Sequence, residues 1–134
     1  KRNKCKRIFI NKLLTFVFSV IVFIIAEFFE FSLKVDIRIG TILEVNDFPK
    51  ARKPAYQLLV DFGELGIKKS SAQITDLYKK EDLLNRQVHA IVNFKPRQIA
   101  NFMSECLVLG IHNEDGHVVL LQASDTIKNG EQVR

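Results

Sequence analysis

Residues 35–45, VDIRIGTILEV, set the architecture. Val35, Ile37, Ile39, Thr41, Leu43 and Val45 alternate with Asp36, Arg38, Gly40, Ile42 and Glu44. A period of two with one apolar and one mostly polar face predicts a strand that lies on a core by one side only. Gly40 in its middle is a natural place for the coil or bulge that a small barrel needs.

Outward from this strand the same period recurs. Residues 46–54 (NDFPKARKP) carry two prolines and three cations and read as a loop. Residues 55–62 form a second strand, with Tyr56, Leu58, Val60 and Phe62 on one side. The tight connection GELG (63–66) leads to a third strand at 67–72 and then to a short helix over 75–84. In that helix Leu77, Leu83 and Leu84 are apolar and residues 79–82 form a solvated face. A fourth strand spans 88–94 and ends at Pro96; a link over 97–105 leads to the fifth, 106–111. Asp115-Gly116 marks a hairpin turn before a returning strand at 117–122, and Asn129-Gly130 marks one more turn. Five or six short strands with one helix between the third and fourth are the element order of an OB-fold. The predicted class is therefore all-β, a five-stranded Greek-key barrel with an N-terminal apolar helical extension.

Residues 1–30 differ from residues 31–134 and form a separate segment. Lys1, Arg2, Lys4, Lys6, Arg7 and Lys12 take six of the 20 cations, leaving 14 against all 15 acids in the rest of the chain. The net charge of +5 thus sits at the N-terminus, and the remainder is not basic. That argues against indiscriminate binding to nucleic acid. An apolar stretch follows at 8–26, with an unbroken run of 14 residues from Leu13 to Ala26, short of the ~20 a bilayer span needs. No small-x-small cleavage site follows it. Three readings stand: a membrane anchor, a stretch foreign to the native product, or a helix packed on the barrel. An anchor would keep the basic head in the cytosol and export the barrel. The chain opens on Lys1 with Met103 as its only methionine, as expected of a fragment or processed product. Cys5 and Cys106 are too few for a disulfide framework and are expected to be reduced thiols.

Two clusters carry recognition chemistry. Lys68, Lys69, Ser70, Ser71 and Gln73 bring two cations, two hydroxyls and an amide into six residues, an inventory suited to phosphate and sugar oxygens. Alternation sends Lys69 and Ser71 to one face and Lys68 and Ser70 to the other, so only one pair lines a surface. The structural alternative has the serines capping the next helix and the lysines solvated. Asn93, Lys95, Arg97, Gln98, Ser104 and Glu105 form the second cluster. Arg97 suits a bidentate phosphate contact or stacking on a base, and Asn93 reads a base edge or pins a loop. Glu105 beside Ser104 serves either recognition or the orientation of Lys95 or Arg97. Phe94 and Phe102 serve as base-stacking surfaces or as core. Arg52 and Lys53 extend the cationic track or keep their loop soluble. Ile42, Leu59 and Ile91 alternate away from the main apolar face, as a peptide-holding surface or a dimer seam would.

Nothing reads as catalytic. His112–His117 (HNEDGH) straddles the hairpin turn, and His89 and Cys106 lie in apolar strands with no acid or base at readable spacing. No phosphate-binding loop, dinucleotide fingerprint or nucleophile elbow is present. No metal and no cofactor are expected.

Residues 31–45 (FSLKVDIRIGTILEV), 49–63 (PKARKPAYQLLVDFG), 66–75 (GIKKSSAQIT), 92–105 (VNFKPRQIANFMSE), 118–122 (VVLLQ) and Asn129-Gly130 resemble the tRNA-binding-domain family, and within it the CsaA branch. The resemblance covers the chain from Phe31 onward. It implies an OB-fold homodimer of the cytoplasm, without enzymatic activity, that binds tRNA or similarly structured RNA. It also implies a chaperone role in export, holding unfolded preproteins, and it marks residues 1–30 as an addition to the family's domain. A membrane-tethered binding domain is the remaining alternative, should residues 8–26 insert.

Overall fold

The computed structural model describes the backbone of residues 2–134 and the side chains of residues 11–26 and 34–134. The basic residues 1–7, Cys5 and Phe31 therefore lie outside the described side chains. Two compact units are present, residues 1–35 and 36–134.

The first unit is one helix, α1 (Arg2–Lys34). From Leu13 to Ile25 eleven large apolar side chains are each more than 40% exposed. Consecutive apolar positions cover every side of a helix that turns 3.6 residues per revolution, so this stretch has no polar face. Thr15 turns its hydroxyl back to the Asn11 carbonyl, 2.9 Å away. Among the described residues no helix is long and apolar enough to cross a membrane.

The second unit is a nearly closed antiparallel barrel. β1 (Ile37–Asp47), β2 (Tyr56–Asp61), β3 (Ile67–Ala72), β4 (Gln87–Ile91) and β7 (Leu107–Val108) form a sheet in the order β3-β2-β1-β4-β7. Between β3 and β4 lies a single helical turn, α2 (Lys80–Leu83). Two hairpins complete the unit: β5 (Arg97–Ile99) with β6 (Phe102–Ser104), and β8 (Gly110–His112) with β9 (Val118–Leu120). The observed class is the expected OB-like barrel.

β1 corrects the face assignment made from the sequence. Its pairing with β2 slips between Ile42 and Glu44, so Leu43 is the extra residue of a bulge. Ile42 is fully buried in the core and Leu43 is 42% exposed, the reverse of simple alternation. Beyond the bulge the phase has shifted, and Val45 packs against the core. Gly40 lies on the inward side: a Cβ there would sit 2.7 Å from both the Phe62 ring and Val60. Only glycine allows β1 to cross this close to β2.

Leu58, Val60, Phe62, Leu83 and Val88 fill the centre with Ile42 and are essentially inaccessible. Truncating a side chain such as Phe62 to Ala in such a site costs about 3–5 kcal/mol. The expected helix over 75–84 is shorter than predicted: Leu83 reaches the core, while Leu77 and Leu84 are exposed. Ile91 is buried and Leu59 half-buried, so with Ile42 they give no continuous outward apolar face.

The C-terminal segment is sewn along β1. Ile39 N–H donates to the Glu131 carbonyl (3.0 Å), Gly130 N–H to the Ile39 carbonyl (2.8 Å) and Val133 N–H to the Ile37 carbonyl (2.9 Å). Asn129 ties three strands: its Oδ1 accepts from Thr41 Oγ1 at 2.7 Å and from Gln87 Nε2 at 3.2 Å, and its Nδ2 donates to Asp61 at 3.3 Å. The turn predicted at Asn129-Gly130 is thus a clasp. Gly130 holds φ at 90°, and a Cβ there would meet the Phe62 carbonyl oxygen at 2.5 Å.

Candidate functional site

Three segments converge on one concave surface. These are the loop between β1 and β2, the outer face of β3 with the residues after it, and the β5–β6 hairpin with β7 behind it. They enclose a groove of about 800 Å³.

The loop stands because both its ends are anchored. Phe48 and Ala55 are buried, and Ala51 N–H closes a turn onto the Phe48 carbonyl at 3.2 Å. Arg52 and Lys53 therefore project from its exposed crest into the groove lining. In β3, Ser70 and Ala72 point inward and are buried, which turns Lys69, Ser71 and Gln73 outward. Ser71 and Gln73 line the groove; Lys68 and Lys69 do not.

Residues 97–105 are a second correction, since the expected link is the β5–β6 hairpin. Arg97 stands opposite Ser104, and Gln98 opposite Met103. Its turn bends at Ala100, with φ at 49°, and Gln98 Nε2 donates to the Ala100 carbonyl at 2.8 Å. Arg97 emerges at the base of this arm beside Phe94 and Lys95, all three lining the groove. Phe94 is 46% exposed and Phe102 half-buried. Behind them Ile99, Leu107 and Val108 give the groove an apolar floor.

Several predicted site residues help close the barrel, and of these Ser104 and Glu105 also line the groove. Ser70 is fully buried, and its Oγ donates to the Cys106 carbonyl at 3.0 Å, which takes it off the surface altogether. Ser104 Oγ accepts from Ser71 N–H at 3.1 Å and lies 3.2 Å from the same Cys106 carbonyl. Glu105 locks onto the β3 edge twice: its N–H donates to the Lys69 carbonyl and its Oε2 accepts from Lys69 N–H, both at 2.8 Å. Asn93 accepts from Asp36 N–H through Oδ1 at 2.9 Å, pinning the entry to β1 away from the groove. Burial pushes the Cys106 thiol up to about 11, against weaker downward pulls from Ser70 and Lys68, so it stays protonated at neutral pH.

The groove's charge is one-sided. Arg52, Lys53, Lys95 and Arg97 line it against a single carboxylate, Glu105. Residues 36–134 as a whole hold 13 Lys and Arg against 13 Asp and Glu. A neutral unit has therefore gathered cations on one face. Among the described residues the ion pairs are Arg38–Asp36 (2.7 Å) and Lys80–Asp47 (2.8 Å), so none of the four groove cations is neutralised. His112 adds an imidazole ring to the lining.

The other end of the HNEDGH stretch is a turn held by Asn113, whose Oδ1 accepts from Asp115 N–H at 3.1 Å and His117 N–H at 2.9 Å. Among the described residues no three His, Cys, Asp or Glu side chains group as metal ligands would. Sequence reasoning missed Ile99 and His112 as lining residues. The signal for Ile99 was its alternation with Gln98 ahead of the Ala100-Asn101 turn, hidden because neither turn residue is glycine.

Comparison with known proteins agrees with this fold. Residues 37–132 match the family model described as "Putative tRNA binding domain". The structure superimposes on a crystal structure of the chaperone CsaA from Bacillus anthracis with a TM-score of 0.75 and 51% identity, covering 79% of this chain and 96% of that one. A CsaA chaperone structure from Picrophilus torridus gives a TM-score of 0.74, also at 51% identity, covering 80% and 97%. A methionine–tRNA ligase of Methanocaldococcus jannaschii is 36% identical over 101 residues, 75% of this chain but 15% of the ligase. The chain thus spans a small part of the ligases it matches. With the family model covering the whole barrel, from the start of β1 to the clasp at its end, the chain belongs to the tRNA-binding-domain family.

Proposed function

We propose that the barrel is a non-enzymatic binding module for structured RNA, tRNA foremost, and that the groove is its contact surface. The observation that carries this is the cluster of four unneutralised cations in a unit of zero formal charge. Phosphate contacts supply most of the affinity of such surfaces. In this reading Arg52, Lys53, Lys95 and Arg97 meet phosphates, Ser71 and Gln73 bond sugar or backbone oxygens, and Lys69 and Lys68 extend the field along β3. Four cations make a modest site, and a homodimer presenting two grooves would raise the affinity by linkage. A tRNA ligand puts the protein in the cytoplasm.

The test is tRNA binding across a salt series. Log affinity should fall linearly with log salt, and Arg97→Ala should weaken binding and lower the slope by roughly 0.7–0.9. Affinity insensitive to both salt and Arg97 would end this reading. Sedimentation of the full chain checks the dimer.

The apolar floor of Ile99, Leu107 and Val108 favours one second reading, an export-related chaperone that holds unfolded preproteins. Two similar structures are those of CsaA chaperones. Suppression of aggregation that tolerates salt and survives Arg97→Ala would support it. A membrane-tethered form of either activity rests on α1, and fractionation of cells for the full-length chain tests it.

A further inference from the structure

We infer that the groove takes unpaired nucleotides, with the exposed ring of Phe94 as the platform on which a base stacks. This rests on the RNA reading and names the part of the RNA that is held. Phe94 is 46% exposed, although a large aromatic ring gains most from burial. It lies in the concave lining beside Lys95 and Arg97, with Arg52 and Lys53 in the lining too. A paired RNA helix offers this surface phosphates, hydroxyls and base edges but no free base face, because its faces are stacked inside. An unpaired nucleotide offers a flat apolar face and a phosphate together. Ring, apolar floor and cations match that combination and leave the floor without a use against a duplex. The Coulombic part accepts any RNA, while the ring selects loops, bulges and single-stranded ends.

The experiment uses the full chain with three probes at fixed salt: tRNA, eight-nucleotide oligo(U) or oligo(A), and a blunt RNA duplex of equal length. The single strands should bind about tenfold or more tightly than the duplex, within the range that base–aromatic stacking gives. Phe94→Leu keeps an apolar side chain but removes the stacking face; it should lower single-strand affinity about tenfold with the salt slope unchanged. Phe94→Tyr should restore it. Equal binding of duplex and single strand, or indifference to Phe94→Leu, overturns the inference. Should an unfolded apolar peptide compete for Phe94 while the oligonucleotides do not, the occupant is protein and the inference fails. Where tRNA binds with the expected salt slope and the oligonucleotides do not, only this inference falls. Where tRNA itself fails to bind, the RNA reading falls with it.

Discussion

Phe48 and Phe102 meet edge to face, ring centroids 5.6 Å apart and planes at 84°, and so tie the cationic loop to the hairpin that carries Arg97. Phe48 is buried at the end of β1, and Phe102 begins β6. Such a pair contributes about 0.5–1.5 kcal/mol beyond its buried area. Here it also sets the spacing between the two arms of the groove.

Phe102→Ala should therefore cost about 2 kcal/mol of stability, counting the lost pair and part of a large-to-small truncation. It should also weaken RNA binding without changing the salt slope, because every cation remains. Urea unfolding and a salt titration of tRNA binding read the two effects. A slope lowered as far as in Arg97→Ala would mean that the ring contact does something other than hold the arms.

Gly40→Ala tests the close crossing of β1 over β2. The new methyl would meet the Phe62 ring and Val60 at 2.7 Å, and both neighbours are fully buried. Neither has room to swing aside, so overpacking of about 1–3 kcal/mol is expected, read as a lower urea midpoint.

Ser70→Ala separates a buried hydroxyl from a recognition hydroxyl. The lost bond to the Cys106 carbonyl should cost about 1 kcal/mol, since Ser104 still reaches the same oxygen. RNA affinity should not change. Ser71→Ala, on the outward face of the same strand, should do the opposite: weaker binding at nearly constant stability.

Cys106 predicts an alkaline limit. Its folded-state value is raised by burial from the ordinary 9.0 to about 11, so above pH 9 the unfolded chain releases a proton that the folded chain retains. The contribution is fully present below pH 9 and lost as pH rises toward 11, roughly 2–3 kcal/mol at about 1.4 per unit. Stability between pH 8 and 11 should fall less steeply in Cys106→Ala in a Cys5→Ser background. With Cys106 present in that same background, native protein at pH 7.5 should react slowly with a thiol reagent and quickly once unfolded.

The strands were legible wherever local pattern and pairing agreed. β3 falls where alternation put it, residues 67–72, because Ser70 and Ala72 are small enough to face the packed interior. β1 was legible in place, but Gly40 and Ile42 face inward where alternation put them outward. The one-residue bulge at Leu43 then returns Val45 to the core side expected of it, a change of phase that leaves composition untouched. The hairpin at 97–104 was not read, because its turn uses Ala100 and Asn101 in place of a glycine signal. Arg52, Lys53, Lys95 and Arg97 were visible as cations. Their convergence was not, because it depends on two arms brought together by contacts between residues far apart in the chain. The burial of Ser70 and the barrel-closing role of Glu105 are likewise long-range facts, invisible until β3 meets the segment after β6.

The segment at 130–133 that runs beside β1 also sets the timing of assembly. β1 is made early and its flanking partner about ninety residues later, so a ribosome-bound chain holds the edge at Ile37 and Ile39 open until residues 130–133 emerge. During that interval the bare edge is a docking invitation to other nascent chains.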